Sequence, residues 1–306
     1  MLRVIAVVGA TATGKSALAL DLAESLAARG MPVEVVNADA MQLYQGMDIG
    51  TAKLPPAERC GIPHHQLDVL APHEEASVAA YQRAARADIS AIHARGALPL
   101  VVGGSGLYVQ GLLDEMDFPG TDPAIRAALE ERAAREGGRP LHDELRHRDP
   151  EAAERIDPGN TRRVIRALEV IELTGRPFSA SLPEGRHHYP GTLQLGLRGG
   201  YDWLDARIAQ RTRSMLEAGL LAEVAALGEL SRTAATATGY REALAHLRGE
   251  LTTAELTEAI TLATRQLARR QTKWFRRDPR THWLPAQEPA AALTRALELA
   301  EASTRT

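Results

Sequence analysis

The sequence predicts an α/β protein: a P-loop-containing parallel sheet flanked by helices, with an inserted all-helical domain. Three observations carry this. Short β-branched runs alternate with longer helical periods through the first 116 residues, a glycine-rich segment from Gly9 to Ser16 separates the first run from the first helix, and strand-like runs are then absent from Asp117 to Leu193. Strands that alternate with helices pair in parallel, because each crossover brings the chain back to the same end of the sheet.

Residues 2–8 read as a buried strand, 15–29 as a helix, 32–36 as a second strand and 98–102 as a third. Residues 77–95 carry apolar positions at helical spacing behind Ser77, which can cap the first turn. From residue 117 onward, helices start at Asp122-Pro123 and Asn160-Thr161 and stop at Gly137-Gly138 and Gly175. Residues 192–197 and 281–284 return to strand character before a last Ala/Leu-rich helix. The expected organisation is a core domain, 1–116 with 191–306, that ends in basic helices, and an inserted helical domain over 117–190.

The chain has 306 residues, 36 Lys or Arg against 39 Asp or Glu, and a formal charge of -3, which excludes a uniformly basic surface. Only three of the 36 are Lys (Lys15, Lys53 and Lys273) and the other 33 are Arg, so each retained Lys marks a place to look. A single cysteine, Cys60, excludes an internal disulfide or a cysteine metal cluster and fits a reducing cytosol. The N-terminal apolar run is too short for a signal peptide, and no segment approaches the roughly 20 apolar residues of a membrane helix. A cytoplasmic monomer without membrane attachment is expected.

Gly9-Ala10-Thr11-Ala12-Thr13-Gly14-Lys15-Ser16 matches GxxxxGK[ST] between a strand and a helix. Backbone amides converging there, with the helix N-terminus, cradle phosphoryl oxygens. Lys15 adds a mobile charge and the Ser16 hydroxyl can hold Mg2+. Such a loop recognises phosphoryl oxygens, so a nucleoside triphosphate and an organic diphosphate fit equally well. Asp39 lies just past the second strand, on the sheet edge where open parallel sheets bind ligands, and reads as a general base, a metal ligand or an Asx-turn residue. The loop YQGMDIGTAK follows, ending on Lys53. A third strand, glycine turn and helix place Ser105 on the same edge, as a phosphate or nucleophile contact or as a helix cap.

Together GATATGKS, NADAMQLYQGMDIGTAK, PLVVGGSGLY, RRVIRALEV and ATRQLARRQTKWFRR resemble the bacterial form of the tRNA dimethylallyltransferase (tRNA isopentenyltransferase) family, from Gly9 to Arg277. The resemblance implies transfer of a dimethylallyl group from dimethylallyl diphosphate to the exocyclic N6 amine of the adenine just 3′ of the anticodon (tRNA position 37). The tRNAs are those that read codons starting with U, and diphosphate is released. It implies the anticodon stem-loop as partner, and Mg2+ at Ser16 of the phosphate loop is the expected cofactor. Asp39 matches the family's base, and Asp39, Ala40, Met41 and Gln42 match a tRNA-contacting stretch. Ser105 stands where many members have Thr. Arg126 and the run Arg162, Arg163, Val164, Ile165, Arg166 match tRNA contacts of the insert. Arg207 and Arg211 resemble basic residues that face the diphosphate.

An RNA partner needs a local basic face. Residues 261–280 hold seven Lys or Arg against one Asp, with Arg265, Arg269 and Lys273 four apart and Leu256, Ile260, Ala263, Leu267 and Trp274 on a second, core-facing stripe. Tyr240 beside Arg241 offers a ring for an unpaired base, or a core tyrosine. The pairs His64-His65 and His187-His188 lack ligand spacing and read as exposed or capping residues, not a metal site. Three other readings stay open: an ATP-dependent small-molecule or nucleotide kinase, an adenylate isopentenyltransferase, and a non-catalytic P-loop RNA-binding protein.

Overall fold

The computed structural model describes residues 3–181 and 185–305; Leu2, assigned above to the first strand, lies outside them. The chain divides into two compact units, Met1–Leu113 with His187–Thr306, and Asp114–Arg186.

In the first unit, the described strands β1 (Val4–Gly9), β2 (Val33–Asn37), β3 (His64–His65), β4 (Leu98–Gly103), β5 (Thr192–Arg198) and β6 (Thr281–Pro285) form one sheet in the order β3-β2-β4-β1-β5-β6. Every pairing is parallel. Both faces of β1 are buried, which explains its unbroken apolar run. Ile5 and Val7 face a cluster with Leu18, Leu22, Ala292 and Ala296, from helices α1 (Lys15–Ala27) and a C-terminal Pro289–Arg305 helix. Val4, Ala6 and Val8 face Tyr81, Ile89, Tyr108 and Leu112, from α2 (Val78–Ala94) and α3 (Gly106–Leu113). Ser77 caps α2 by accepting from the Ala80 amide.

The second unit holds α4 (Pro123–Glu136), α5 (Gly138–Arg148), α6 (Pro150–Arg155) and α7 (Thr161–Thr174) around Leu129, Leu141, Leu145, Val164 and Leu168. Asp122 and Asn160 cap α4 and α7 from their side chains, and Gly175 ends α7 in the left-handed region.

After β5 the first unit continues through α8 (Tyr201–Glu217), α9 (Leu220–Ala226), α10 (Arg232–Ala235), α11 (Tyr240–Leu247) and α12 (Thr253–Phe275); the helix after β6 is α13. A capping box between Thr252 and Glu255 starts α12. Among the described residues no helix is long and apolar enough to cross a membrane.

Candidate functional site

The carboxyl ends of β1, β2 and β4 bring three loops together at one edge of the sheet. The phosphate loop is held from inside and outside. Lys15 Nζ donates to the Ala10 carbonyl at 2.7 Å, Thr13 Oγ1 donates to the same oxygen at 2.8 Å, and Arg207 Nε donates to the Ala12 carbonyl at 2.8 Å. Gly14, at φ 94, is the N-cap of α1, a conformation that leaves the first-turn amides of Lys15 and Ser16 facing outward. Ser16 lines a small pocket with Asn37 and Gln42.

Asp39 is partly buried and fixed by its neighbours. Asn37 Oδ1 accepts from the Asp39 amide at 3.0 Å, and Asn37 Nδ2 donates to the Asp39 carbonyl at 3.0 Å. Asp39 Oδ1 accepts from the Met41 amide at 3.0 Å, so one oxygen closes an Asx-turn. Among the described residues Oδ2 takes no hydrogen bond. Ser105 precedes α3 and its Oγ accepts from the Ala40 amide at 3.0 Å, tying the second loop to the third and leaving the Ser105 O–H as a donor.

Charge links the same groups. Burial pulls the Lys15 ammonium down to about 8, opposed by the carboxylate of Asp39 and reinforced by the guanidinium of Arg211. Burial likewise lowers Arg211, against the pull of Asp39. Arg211 Nη2 donates to the Thr51 carbonyl at 3.4 Å and Arg207 stacks on Trp203 at 5.0 Å. Among the described residues neither guanidinium has a carboxylate partner. Lys15, Asp39, Ser105, Arg207 and Arg211 thus belong to one crevice, and the first-turn hydroxyl of Ser16 adds an oxygen donor.

Lys53 acts beneath this edge. Its side chain is 3% exposed, and Nζ donates to the Tyr44 carbonyl at 2.7 Å, Asp48 Oδ1 at 2.6 Å and Asp68 Oδ1 at 2.5 Å. It pins the loop that follows Asp39. Glu223 secures the same loop by accepting from the amides of Asp48, Ile49 and Gly50.

Several expected RNA contacts are placed otherwise. Tyr240 is fully buried, its ring against Gly50 and its hydroxyl donating to Glu223, so it is a core tyrosine with no face for a base. Val164 and Ile165 lie in the core of the helical unit, where an apolar side chain on the inner face of α7 cannot reach RNA. Ala40 is buried and Met41 packs on the core; Gln42 Nε2 donates to the Thr51 carbonyl at 3.1 Å. Arg126 and Arg166 both clamp the buried carboxylate of Glu169. Arg162 and Arg163 project into solvent, and Arg241 pairs with Glu242.

On α12, Arg269 makes two hydrogen bonds to Asp205, at 2.9 and 2.8 Å, and Arg265 lies 3.8 Å from the same carboxylate. These two cations are therefore not a free phosphate-contacting stripe; Lys273, with Arg270 and Arg277, is exposed. Trp274 is 41% exposed, and the buried stripe runs instead through Gln271 to Phe275. The sequence reading passed over Gln271, although a polar residue on a core-facing stripe was the signal. His64 and His65 form an edge strand instead of lying free, with His65 Nε2 at 2.7 Å from Glu34.

A family model described as IPP transferase matches residues 42–278. The chain belongs to this IPP transferase family. The matched segment includes Ser105, Arg207 and Arg211 of α8, and α12, while the phosphate loop and Asp39 precede it. A tRNA dimethylallyltransferase of Thermobifida fusca is 55% identical over 94% of this chain and 92% of its own length. One from Kineococcus radiotolerans is 54% identical over 96% and 95%. Among solved structures, the full-length tRNA isopentenylpyrophosphate transferase of Bacillus halodurans aligns with a TM-score of 0.72 and 35% identity over 100% of this chain and 99% of its own. A eukaryotic dimethylallyltransferase acting on tRNA aligns at 0.82 and 28% identity, over 97% and 78%.

Proposed function

We propose that this IPP transferase family member transfers the dimethylallyl group of dimethylallyl diphosphate to the N6 amine of the adenine 3′-adjacent to the anticodon, releasing diphosphate. The observation that carries the reading is the charge arrangement at the sheet edge. Lys15, Arg207 and Arg211 stand around the phosphate loop without carboxylate partners among the described residues, and Asp39 keeps one carboxylate oxygen open beside them.

An aryl amine is a weak nucleophile, so the allylic C–O bond must be weakened by neutralising the charge that grows on the departing diphosphate. The loop amides, Lys15, Arg207 and Arg211 supply fixed positive charge for this. As the new C–N bond forms, the amine proton becomes acidic and passes to Asp39 Oδ2, while the Ser105 hydroxyl donates to the incoming base or diphosphate. Asn37 and Met41 keep the carboxylate from turning away. A base stacked in the anticodon loop cannot enter such a crevice, so the adenine enters flipped out.

A Mg2+ ion fits the donor set: one hydroxyl, Ser16, at the start of α1, with the remaining sites left for diphosphate oxygens and water, as this hard cation prefers. When bound it would add Lewis-acid neutralisation of the leaving diphosphate. Exposed Arg162 and Arg163 in the helical unit and Arg270 and Lys273 on α12 supply backbone contacts for the anticodon stem-loop. The protein works in the cytosol as a monomer.

Incubation with unmodified tRNA, Mg2+ and radiolabelled dimethylallyl diphosphate tests the reading. Label is expected in the tRNA, and an Asp39→Ala variant is expected to lose it while keeping its tRNA affinity. Unlabelled tRNA with ATP consumed in its place would overturn the proposal.

A further inference from the structure

The polar residue on the buried stripe of α12 sits between two loops of the crevice. Gln271 is 9% exposed. Its Oε1 accepts from the Thr11 amide at 2.8 Å and its Nε2 donates to the Gly104 carbonyl at 3.0 Å. One planar amide therefore bridges the phosphate loop and the glycine loop after β4. The approach is close enough that a Cβ on Gly104 would fall 2.6 Å from Nε2. One turn further, Trp274 covers Gly106 so tightly that a Cβ there would fall 2.5 Å from the indole. Helix α12 thus touches both neighbours of Ser105, the residue that holds Ala40 next to Asp39. Ala268, one turn earlier, packs with Ala10 and Ala12 of the phosphate loop.

The outer face of the same turns exposes Arg270 and Lys273, and Arg277 is exposed just past the C-cap of the helix. A single rigid element therefore has its cations outside and a hydrogen-bonded bridge to the phosphate loop inside. The Thr11 amide points at Gln271 and not into the anion cradle, so the curvature that aims the following amides depends on this bond. Only a side chain that both accepts and donates in one plane satisfies both loops: Glu lacks the donor, and Met lacks the donor and offers only a weak thioether acceptor.

We propose that Gln271 is a positioning residue that couples the cationic outer face of α12 to the diphosphate cradle. RNA seated on Arg270 and Lys273 fixes the orientation of α12, and Gln271 passes that constraint to Thr11 and Gly104. The proposal rests on the reading of the phosphate loop as a diphosphate site.

The test measures the affinity of inorganic diphosphate with Mg2+, alone and with saturating tRNA, together with transfer kinetics. In the unaltered protein, tRNA is expected to tighten diphosphate about 5-fold or more, and by reciprocity diphosphate tightens tRNA by the same factor. In Gln271→Met the factor is expected to fall to about 1 and KM for dimethylallyl diphosphate to rise about 10-fold, with kcat and the affinity for tRNA alone within about 2-fold. A merely structural glutamine would lower both affinities without changing their coupling. Should the Met variant not fold, Gln271→Glu keeps the Thr11 acceptor and is expected to show reduced coupling. Coupling equal to that of the unaltered protein in either variant overturns the proposal, as does its absence from the unaltered protein. Failure of the unaltered protein to bind diphosphate at all would overturn the underlying reading, which separates the two failures.

Discussion

Among their arginines, helices α8 and α12 each hold one pair a single turn apart, Arg207 with Arg211 and Arg265 with Arg269, and the two pairs live in opposite surroundings. Arg207 and Arg211 donate to backbone carbonyls. Arg265 and Arg269 share the carboxylate of Asp205, and Arg269 also lies 4.0 Å over the ring of Tyr201. Asp205 is itself on α8, two positions before Arg207, which puts it on a different face of that helix. One helix thus neutralises its neighbour's cations while leaving its own available. Equal spacing and residue type carried no information about this; the partner carboxylate decided it.

The contrast is breakable. Arg211→Gln should cost the most: about 100-fold or more in single-turnover transfer if, as proposed, it is the preorganised cation at the leaving group, with tRNA affinity nearly unchanged. Parallel loss of tRNA affinity would assign the α8 pair to RNA. A smaller effect comes from pH. Burial holds the Lys15 ammonium well below the usual lysine range, at about 8. Below that value the ammonium is charged and attracts diphosphate. Above it, binding must first take up a proton, so affinity should fall about 10-fold per pH unit. Titration calorimetry with Lys15→Arg as the reference, whose guanidinium stays charged, isolates this slope; equal slopes would place the titration elsewhere. The smallest effect is expected from Asp205→Asn, which frees Arg265 and Arg269. The tRNA affinity should tighten about 2-fold to 5-fold with a steeper salt dependence. No change would mean that this side of α12 does not face RNA.

Backbone architecture was legible because its signals are local. The apolar run ending at Val8, the caps Ser77, Asp122 and Asn160, and the stop at Gly175 each act within one turn of themselves. Strand β3 escaped because two residues, His64 and His65, carry no period. In the candidate site, the phosphate loop, Asp39 and Ser105 were legible as positions on one sheet edge. What each charged group is bonded to was not. Lys53 finds Asp48 within its own loop but Asp68 beyond it, Arg269 finds Asp205 on another helix, and the Thr11 amide finds Gln271 near the chain's far end. Resemblance misled at Val164 and Ile165, because a motif marks a stretch of chain and does not say which of its side chains turn inward, while at Tyr240 the core alternative proved right over the base-stacking one.

The position of β1 in the sheet has a consequence for biosynthesis. It is made before both of its partners, β4 on one side and β5 on the other. The whole helical unit is encoded between those two partners. At about 5–20 residues per second, the roughly 100 residues separating them take on the order of 5–20 s to emerge. Throughout that interval the apolar β1 has an open edge that another chain can join. The helical unit, built from contacts near in sequence, can complete its own core while β1 waits. A ribosome pause inside that unit would therefore lengthen the exposure of β1, and synonymous codon choice between residues 114 and 186 becomes a control on aggregation during synthesis.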